Sequence, residues 1–440
     1  MITNIEMPYS ACIDWFEDWI SAAAPTLVDE YDLSAWMEEE MNTVNKLFIS
    51  VAFKSIRAKN DAILILRALY YEYFLFQRDL ALKNLVAKPE NVKRLKELPQ
   101  SAQKSAAWHN ESLELLTGHE FGSVVYGTPA GRGLVIAKKC GTPVVVNEHE
   151  MAAASSSQIV FTYDSEGKLS PFKWGWRYEP VVRDVYERCF AEGAVFDGLG
   201  RIRHPFLPRL AASPDGLIVS GPRCGRLVEI KSPITRELTG TIPPDYYCQI
   251  QLQAEVCDVD AVDYVEMRFT AMLVKDAKYS AAVGTKNPWM GKICVVAAPP
   301  VPAPPVAVPV AEGEEPVEPR SNPDSYEYRY SPLFPATESG FTDCCRWMPT
   351  DISGMVMLEE SVWYVHDLFT KTYMRNRRWW AEVGQPAYEK FWRDVEIARR
   401  DGTYAEKAMF VDETSDDESV ESVKDKWEGV TTSEEETHTE

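Results

Sequence analysis

Asp215, Glu229 and Lys231 stand close together in the run ASPDGLIVSGPRCGRLVEIKSP, residues 212–233. Asp215–Gly216 reads as a turn that opens a strand, and SGPRCG (220–225) as a hairpin turn. The returning strand is Leu227 to Lys231. Side chains alternate along a strand, so Glu229 and Lys231 share one face and Ile230 takes the other. A hairpin of this kind brings Asp215 beside Glu229. Two carboxylates and one ammonium are then within reach of a single reacting atom.

Phosphodiester hydrolysis uses such a set. Mg²⁺ takes hard oxygen ligands and keeps several waters. Asp215, Glu229 and the carbonyl of Ile230 suit one ion, and a shared carboxylate suits a second. Lys231 would orient or deprotonate a water and offset transition-state charge. A surface hairpin with a Glu–Lys pair is the plain alternative, since a lone Glu-x-Lys carries little information.

The neighbouring elements decide how far this goes. FKWGWRYEPVVRDVYERCF (172–190) reads as a helix entered at Pro171, with Glu179, Arg183 and Tyr186 on one face. Glu179 is a candidate third carboxylate. PPDYYCQIQLQAEV (243–256) sets Tyr246, Gln249 and Gln253 on one helical face, suited to a sugar-phosphate or a catalytic water. A partly exposed amphipathic helix is its plain reading.

Helical spacing also runs through 34–98, with a short helix between Pro89 and Pro99 and a Tyr70–Phe76 cluster read as core. Strands are expected at 144–146, 159–163, 201–204, 217–220, 227–231, 264–273 and 293–297, and helices at 150–157, 174–192 and 245–257. GTPAGRG (127–133) and CGTP (140–143) read as turns. Residues 326–354 read as loop, and 355–400 as two amphipathic helices. RNRRWW (375–380) reads as a solvated arginine stripe with Trp379 and Trp380 partly packed.

The blocks WH (108–109), LTGHEFG (116–122), KWGWRYEP (173–180), HP (204–205), SPDG (213–216), EIK (229–231) and YYCQIQ (246–251) resemble, in order and spacing, the lambda-exonuclease or YqaJ-type viral recombinases. That family belongs to the PD-(D/E)xK nucleases, together with the herpesvirus alkaline nucleases. The resemblance covers about 108–275. It implies an α/β fold, a restriction-endonuclease-like core of central mixed sheet flanked by helices, with helical N- and C-terminal additions. It implies an Mg²⁺-dependent (Mn²⁺ substituting) 5′→3′ exonuclease on double-stranded DNA ends, with a single-strand-annealing partner. By the resemblance Asp215, Glu229 and the Ile230 carbonyl hold metal, Lys231 positions the water, and Glu179 supports a second metal or its water. Gln249 is the active-site glutamine and Ser213 the phosphate-contacting serine. Ser112 and His119 stand where the family has an arginine and a serine for the 5′ phosphate, and Arg236 is displaced. Arg177, Arg201, Arg203, Arg236 and Tyr246 are the candidates to contact phosphate instead. A structure-specific endonuclease of the same fold and an inactive interaction protein are the competing readings.

Composition agrees with an ordinary globular protein of 440 residues, 45% hydrophobic and 26% charged, which excludes collagen, coiled coil and wholesale disorder. The expected divisions are a helical extension over 1–107, the nuclease core over 108–298, a Pro-rich linker over 299–325, a helical region over 326–410 and an acidic tail over 411–440. Ile293 to Ala311 carries no charge but six prolines, so it reads as an extended linker, not a membrane span. Nine scattered cysteines and no basic, apolar leader read as an intracellular protein, in the host nucleus if herpesvirus-like. The net charge is −21, of which the tail carries −10. TSDDE (414–418) and SEEE (433–436) in it suit acidophilic phosphorylation. A tail that only solvates leaves the rate on DNA at moderate salt nearly unchanged when 411–440 are deleted. A truncated protein that binds DNA tenfold more tightly at low salt would mean that the tail competes for the groove.

Overall fold

The computed structural model describes residues 8–23, 27–103, 105–141, 171–280, 288–297 and 326–402. The expected elements at 144–146, 150–157 and 159–163, the Pro-rich linker and the acidic tail lie outside the described residues.

The N-terminal part is helical. Helix α1 spans Tyr9–Ala23, α2 Glu30–Val44 and α3 Ile56–Lys83. Asp29 caps α2, its carboxylate accepting from the amides of Tyr31 and Asp32. Ala58, Ala62, Leu66, Tyr70 and Phe74 recur every fourth residue along α3 and are its buried stripe. They pack with Cys12, Phe16, Ile20, Leu33 and Trp36 into a core of their own. Tyr70 and Phe74 are thus core, while Phe76 is exposed.

Short elements follow: α4 (Pro89–Glu97), β1 (Gln100–Ser101), α5 (Ala106–Glu111), β2 (Leu116–Thr117), α6 (Gly118–Val125) and α7 (Pro129–Lys139). The turn expected at 127–133 is instead the start of α7. Thr128 accepts from the amide of Gly131, and Pro129 occupies the first turn, where its missing N–H is harmless. Then come α8 (Pro171–Tyr186), β3 (Val195–Phe196), β4 (Arg201–Arg203), β5 (Leu210–Ala212), β6 (Gly216–Ile218), β7 (Leu227–Lys231), α9 (Pro244–Val256), β8 (Ala261–Leu273), β9 (Trp289–Ala297), β10 (Tyr326–Tyr330), β11 (Phe334–Pro335), α10 (Glu338–Arg346), β12 (Val356–Met374) and α11 (Gln385–Asp401).

The larger sheet is mixed and runs β10-β9-β12-β8-β7-β6-β3, with β11 beside β9. Strands β7 and β8 are parallel, and α9 is the crossover between them. The expected fold class, a central mixed sheet flanked by helices, is the observed one. Leu227, Val262 and Tyr264 pack toward α9, with Cys248, Ile250 and Leu252. Val228, Ile230, Val265 and Met267 pack toward α8, with Tyr178, Val182 and Tyr186. A smaller sheet, β1-β4-β5-β2, lies alongside.

The reading of 355–400 as two helices is overturned in its first half. Residues 356–374 form one strand of 19 residues between β8 and β9. Val, Trp, Tyr, Phe and Thr favour a strand. Two register shifts, between Met357 and Glu359 and between Val365 and Asp367, move the alternation by one residue each. That phase change makes apolar spacing along the strand imitate a helix. Residues 326–354 likewise hold β10, β11 and α10 rather than loop. Strands from both sides of 298–325 therefore belong to one sheet. Trp379 and Trp380 are buried, and Arg375 and Arg378 are taken up by ion pairs with Glu255 and Glu382. No described helix is long and apolar enough to cross a membrane.

The LTGHEFG block owes its glycines to packing. Helices α6 and α9 touch so closely that a Cβ on Gly122 would lie 2.4 Å from Cβ of Asp245, and one on Gly118 3.0 Å from Gln249. Gly122→Ala is expected to destabilise the protein by roughly 1–3 kcal/mol, because α9 must shift. An unchanged urea midpoint would contradict that close approach.

Candidate active site

The hairpin β6–β7 pairs Gly216 with Val228, which sets Asp215 opposite Glu229. Gly216 is required there, since a Cβ would meet Val195 at 2.8 Å and Val228 at 3.3 Å. The amide of Ile230 donates to Asp215 Oδ2 at 2.8 Å. Glu229 is fully buried, and Lys231 Nζ lies 2.6 Å from its Oε1. Helix α9 closes the site from one side. Gln249 Oε1 accepts from Lys231 Nζ at 3.1 Å, and Gln253 Nε2 donates to Glu229 Oε2 at 2.6 Å. Tyr246 offers its ring to Lys231, 4.7 Å from the centroid. Glu179, from α8, is near enough for its charge to act on Asp215.

Burial raises the Asp215 carboxyl well above its usual range, and the charges of Glu229 and Glu179 push the same way. Lys231 and the Ile230 amide oppose them. Burial alone would lower the Lys231 ammonium, yet Glu229 and Asp215 hold it above the usual lysine range. Lys231 is therefore held as a cation at neutral pH.

The oxygens present fit a hard divalent cation. Among the described residues, Glu229 Oε1 accepts no hydrogen bond beyond its ionic contact with Lys231. Among the described residues no three His, Cys, Asp or Glu side chains cluster as ligands. The candidate set is thus two carboxylates and a carbonyl, with water completing it, as Mg²⁺ prefers.

The residues expected at phosphate divide. Ser213 accepts from Trp108 Nε1 at 3.1 Å, and Arg201 stacks on that indole at 4.1 Å. The Ser112 carbonyl accepts from Lys139 Nζ at 2.7 Å. His119 lies near Lys231. The protein around its imidazole, with Lys231 and Lys138, holds it below the usual histidine range, against Glu120 and Asp245. It is neutral at neutral pH. Arg236 stands over Tyr246 at 5.7 Å and pairs with Glu266. Arg177 is corrected. The residue is 3% exposed, and its guanidinium is bound to Glu359 at 2.6 Å with the rings of Tyr178 and Tyr328 near it, so it is an internal ion pair and no groove cation.

Two features escaped the sequence reading. Glu120 is buried with Lys138 and Lys139 at 2.8 and 2.6 Å, and it also closes a capping box with Thr117. The Thr-x-x-Glu spacing was the available signal. Gln253 was placed on the right helical face, but its bond to Glu229 depends on the α9–β7 contact, which no local pattern encodes.

Residues 133–260 match the family model of the YqaJ-like viral recombinase domain. That segment contains Glu179, Asp215, Glu229, Lys231, Gln249 and Gln253. No curated protein matches the chain. Among solved structures, an alkaline exonuclease (LHK-Exo) from Laribacter hongkongensis is 22% identical over 37% of this chain and 74% of that one, with a TM-score of 0.27. LHK-Exo in complex with dAMP is 15% identical over 68% and 98%, with a TM-score of 0.33.

A raised carboxyl has a definite sign in stability. Its favourable state is fully present below the unfolded value and is lost as pH rises through the folded one. At neutral pH, burial and the neighbouring carboxylates therefore make the charge of Asp215 costly to the metal-free protein. Asp215→Asn is expected to raise the metal-free melting temperature by roughly 2 °C or more, and the gain should shrink toward acid pH. A lower melting temperature for the variant at neutral pH would contradict the repulsion.

Proposed function

With a YqaJ-like viral recombinase domain across residues 133–260 as the premise, we propose that this protein is a divalent-metal-dependent deoxyribonuclease. Its action is exonucleolytic, 5′→3′ on double-stranded DNA ends, in the service of viral DNA recombination. The carrying observation is the Asp215–Glu229–Lys231 cluster with Gln249 and Gln253 behind it. Asp215, Glu229 and the Ile230 carbonyl would hold Mg²⁺, with Mn²⁺ able to substitute and Glu179 beside them. When bound, the ion supplies positive charge to the phosphate oxygens and acidifies a water.

The chain's own groups do the rest. Gln253 fixes the Glu229 carboxylate through Oε2, which leaves Oε1 to Lys231 and a cation. Gln249 and the Tyr246 ring fix the Lys231 ammonium. Held in this way, Lys231 has one N–H left for the attacking water, and its charge offsets the one that grows on phosphate. Ser213, oriented by Trp108, and Arg236 flank the site as phosphate contacts. The neutral His119 offers a hydrogen bond rather than a charge, which predicts weak discrimination between 5′-phosphate and 5′-hydroxyl ends. A single-strand-annealing protein is the partner that such an enzyme would supply with a 3′ strand.

Linear duplexes labelled separately at each end, with a closed circle alongside, test the reading. The 5′ labels should be released first and the circle should survive. Nicking of the circle would favour the endonuclease reading. Asp215→Ala, Glu229→Ala and Lys231→Ala should each lower hydrolysis at least about a hundredfold, because each removes charge or a ligand from the transition state. Lys231→Ala also strips the ammonium from buried Glu229 and half-buried Asp215, so its rate is read per folded molecule from a melting curve. Full activity in Asp215→Ala would refute the assignment.

A further inference from the structure

Glu266 lies on β8 in register with Lys231 of β7. It is 1% exposed, and strand alternation puts it on the same face as Tyr264, which opposes Glu229. Neither of its oxygens accepts a hydrogen bond among the described residues. Its ion-pair partner is Arg236, from the connection between β7 and α9. That guanidinium stands over the Tyr246 ring, which Lys231 also faces. One aromatic ring thus carries two cations, the first paired with Glu229 and the second with Glu266. The two members of the outer pair differ in exposure: the Arg236 side chain is 35% exposed and that of Glu266 1%.

That asymmetry decides between a latch and an anchor. If Arg236 left to follow a substrate, it would strand a buried carboxylate with no other partner among the described residues, and such a charge is strongly destabilising. Arg236 therefore stays. A guanidinium has five donors, and one carboxylate does not use them all. The exposed part of Arg236 faces the same ring as Lys231, with donors to spare. We infer that Glu266 is a positioning residue: it anchors Arg236 against Tyr246 as a second cation, next to Lys231, for a phosphate of the bound strand. This rests on the nuclease reading above and assigns that site a specific outer contact.

The test measures hydrolysis of a linear duplex with Mg²⁺, and thermal melting, for wild type, Glu266→Gln, Arg236→Ala and the double variant. Arg236→Ala should melt below the double variant, because only the single change leaves Glu266 buried and unpaired. KM should rise about tenfold in Glu266→Gln and in Arg236→Ala with kcat within about twofold, as expected for a lost binding contact. The double variant should be no worse than Arg236→Ala alone. Independent, multiplying effects on KM would overturn the inference, as would a lower KM in Glu266→Gln, which would make the pair a latch. A wild type that does not cleave DNA would remove the nuclease reading and this inference with it. An active wild type with multiplying effects removes the inference alone.

Discussion

Two carboxylates, Asp215 and Glu229, are forced together by a strand register and share one ammonium. Each charge would be costly inside the protein alone, and a pair of like charges more so. The surrounding structure is arranged to sustain them. Lys231 is locked by Gln249 and Tyr246, Glu229 is gripped by Gln253, and the Ile230 amide donates to Asp215. Burying a large apolar side chain gains about 1.5–3 kcal/mol. The cores on both faces of β7 and β8 supply many such side chains, enough to carry a strained centre. What remains uncompensated is negative charge, and that residue of repulsion is what a divalent cation would relieve.

Helix α9 is the element through which distant parts of the chain bear on this centre. On its outer side Tyr247 donates to Asp29, which caps α2, and Asn376 donates to the same carboxylate at 2.7 Å. Burial and neighbouring Asp32 raise the Asp29 carboxyl to about 7, against the hydrogen bonds from Tyr247 and Asn376. The N-terminal helices therefore abut the helix that holds Gln249 and Gln253. Glycines 118 and 122 let α6 press on α9 from another direction. A centre built on one short hairpin is in this way steadied by residues from positions 29, 122 and 376.

The hairpin was legible in the sequence because everything that defines it is local. The Asp-Gly turn, the SGPRCG return and the alternation of Leu227 to Lys231 place Asp215, Glu229 and Lys231 without knowledge of the rest. Gln249 was legible from helical spacing. Strand β12 was not, because its bulges disguise the period and its place between β8 and β9 is set by pairing over long separation. Arg177 was misread for a related reason. Nothing in the sequence places Arg177 at the pocket or away from it, because its partner, Glu359, comes from that same unrecognised strand.

Calorimetric titration of the metal-free protein with Mg²⁺, repeated on Glu229→Gln, tests the central claim most directly. Glu229→Gln keeps the shape of the side chain and removes one of the two charges. The account predicts saturable binding to the wild type and its loss in the variant. Equal binding by both proteins, or none by the wild type, would contradict it.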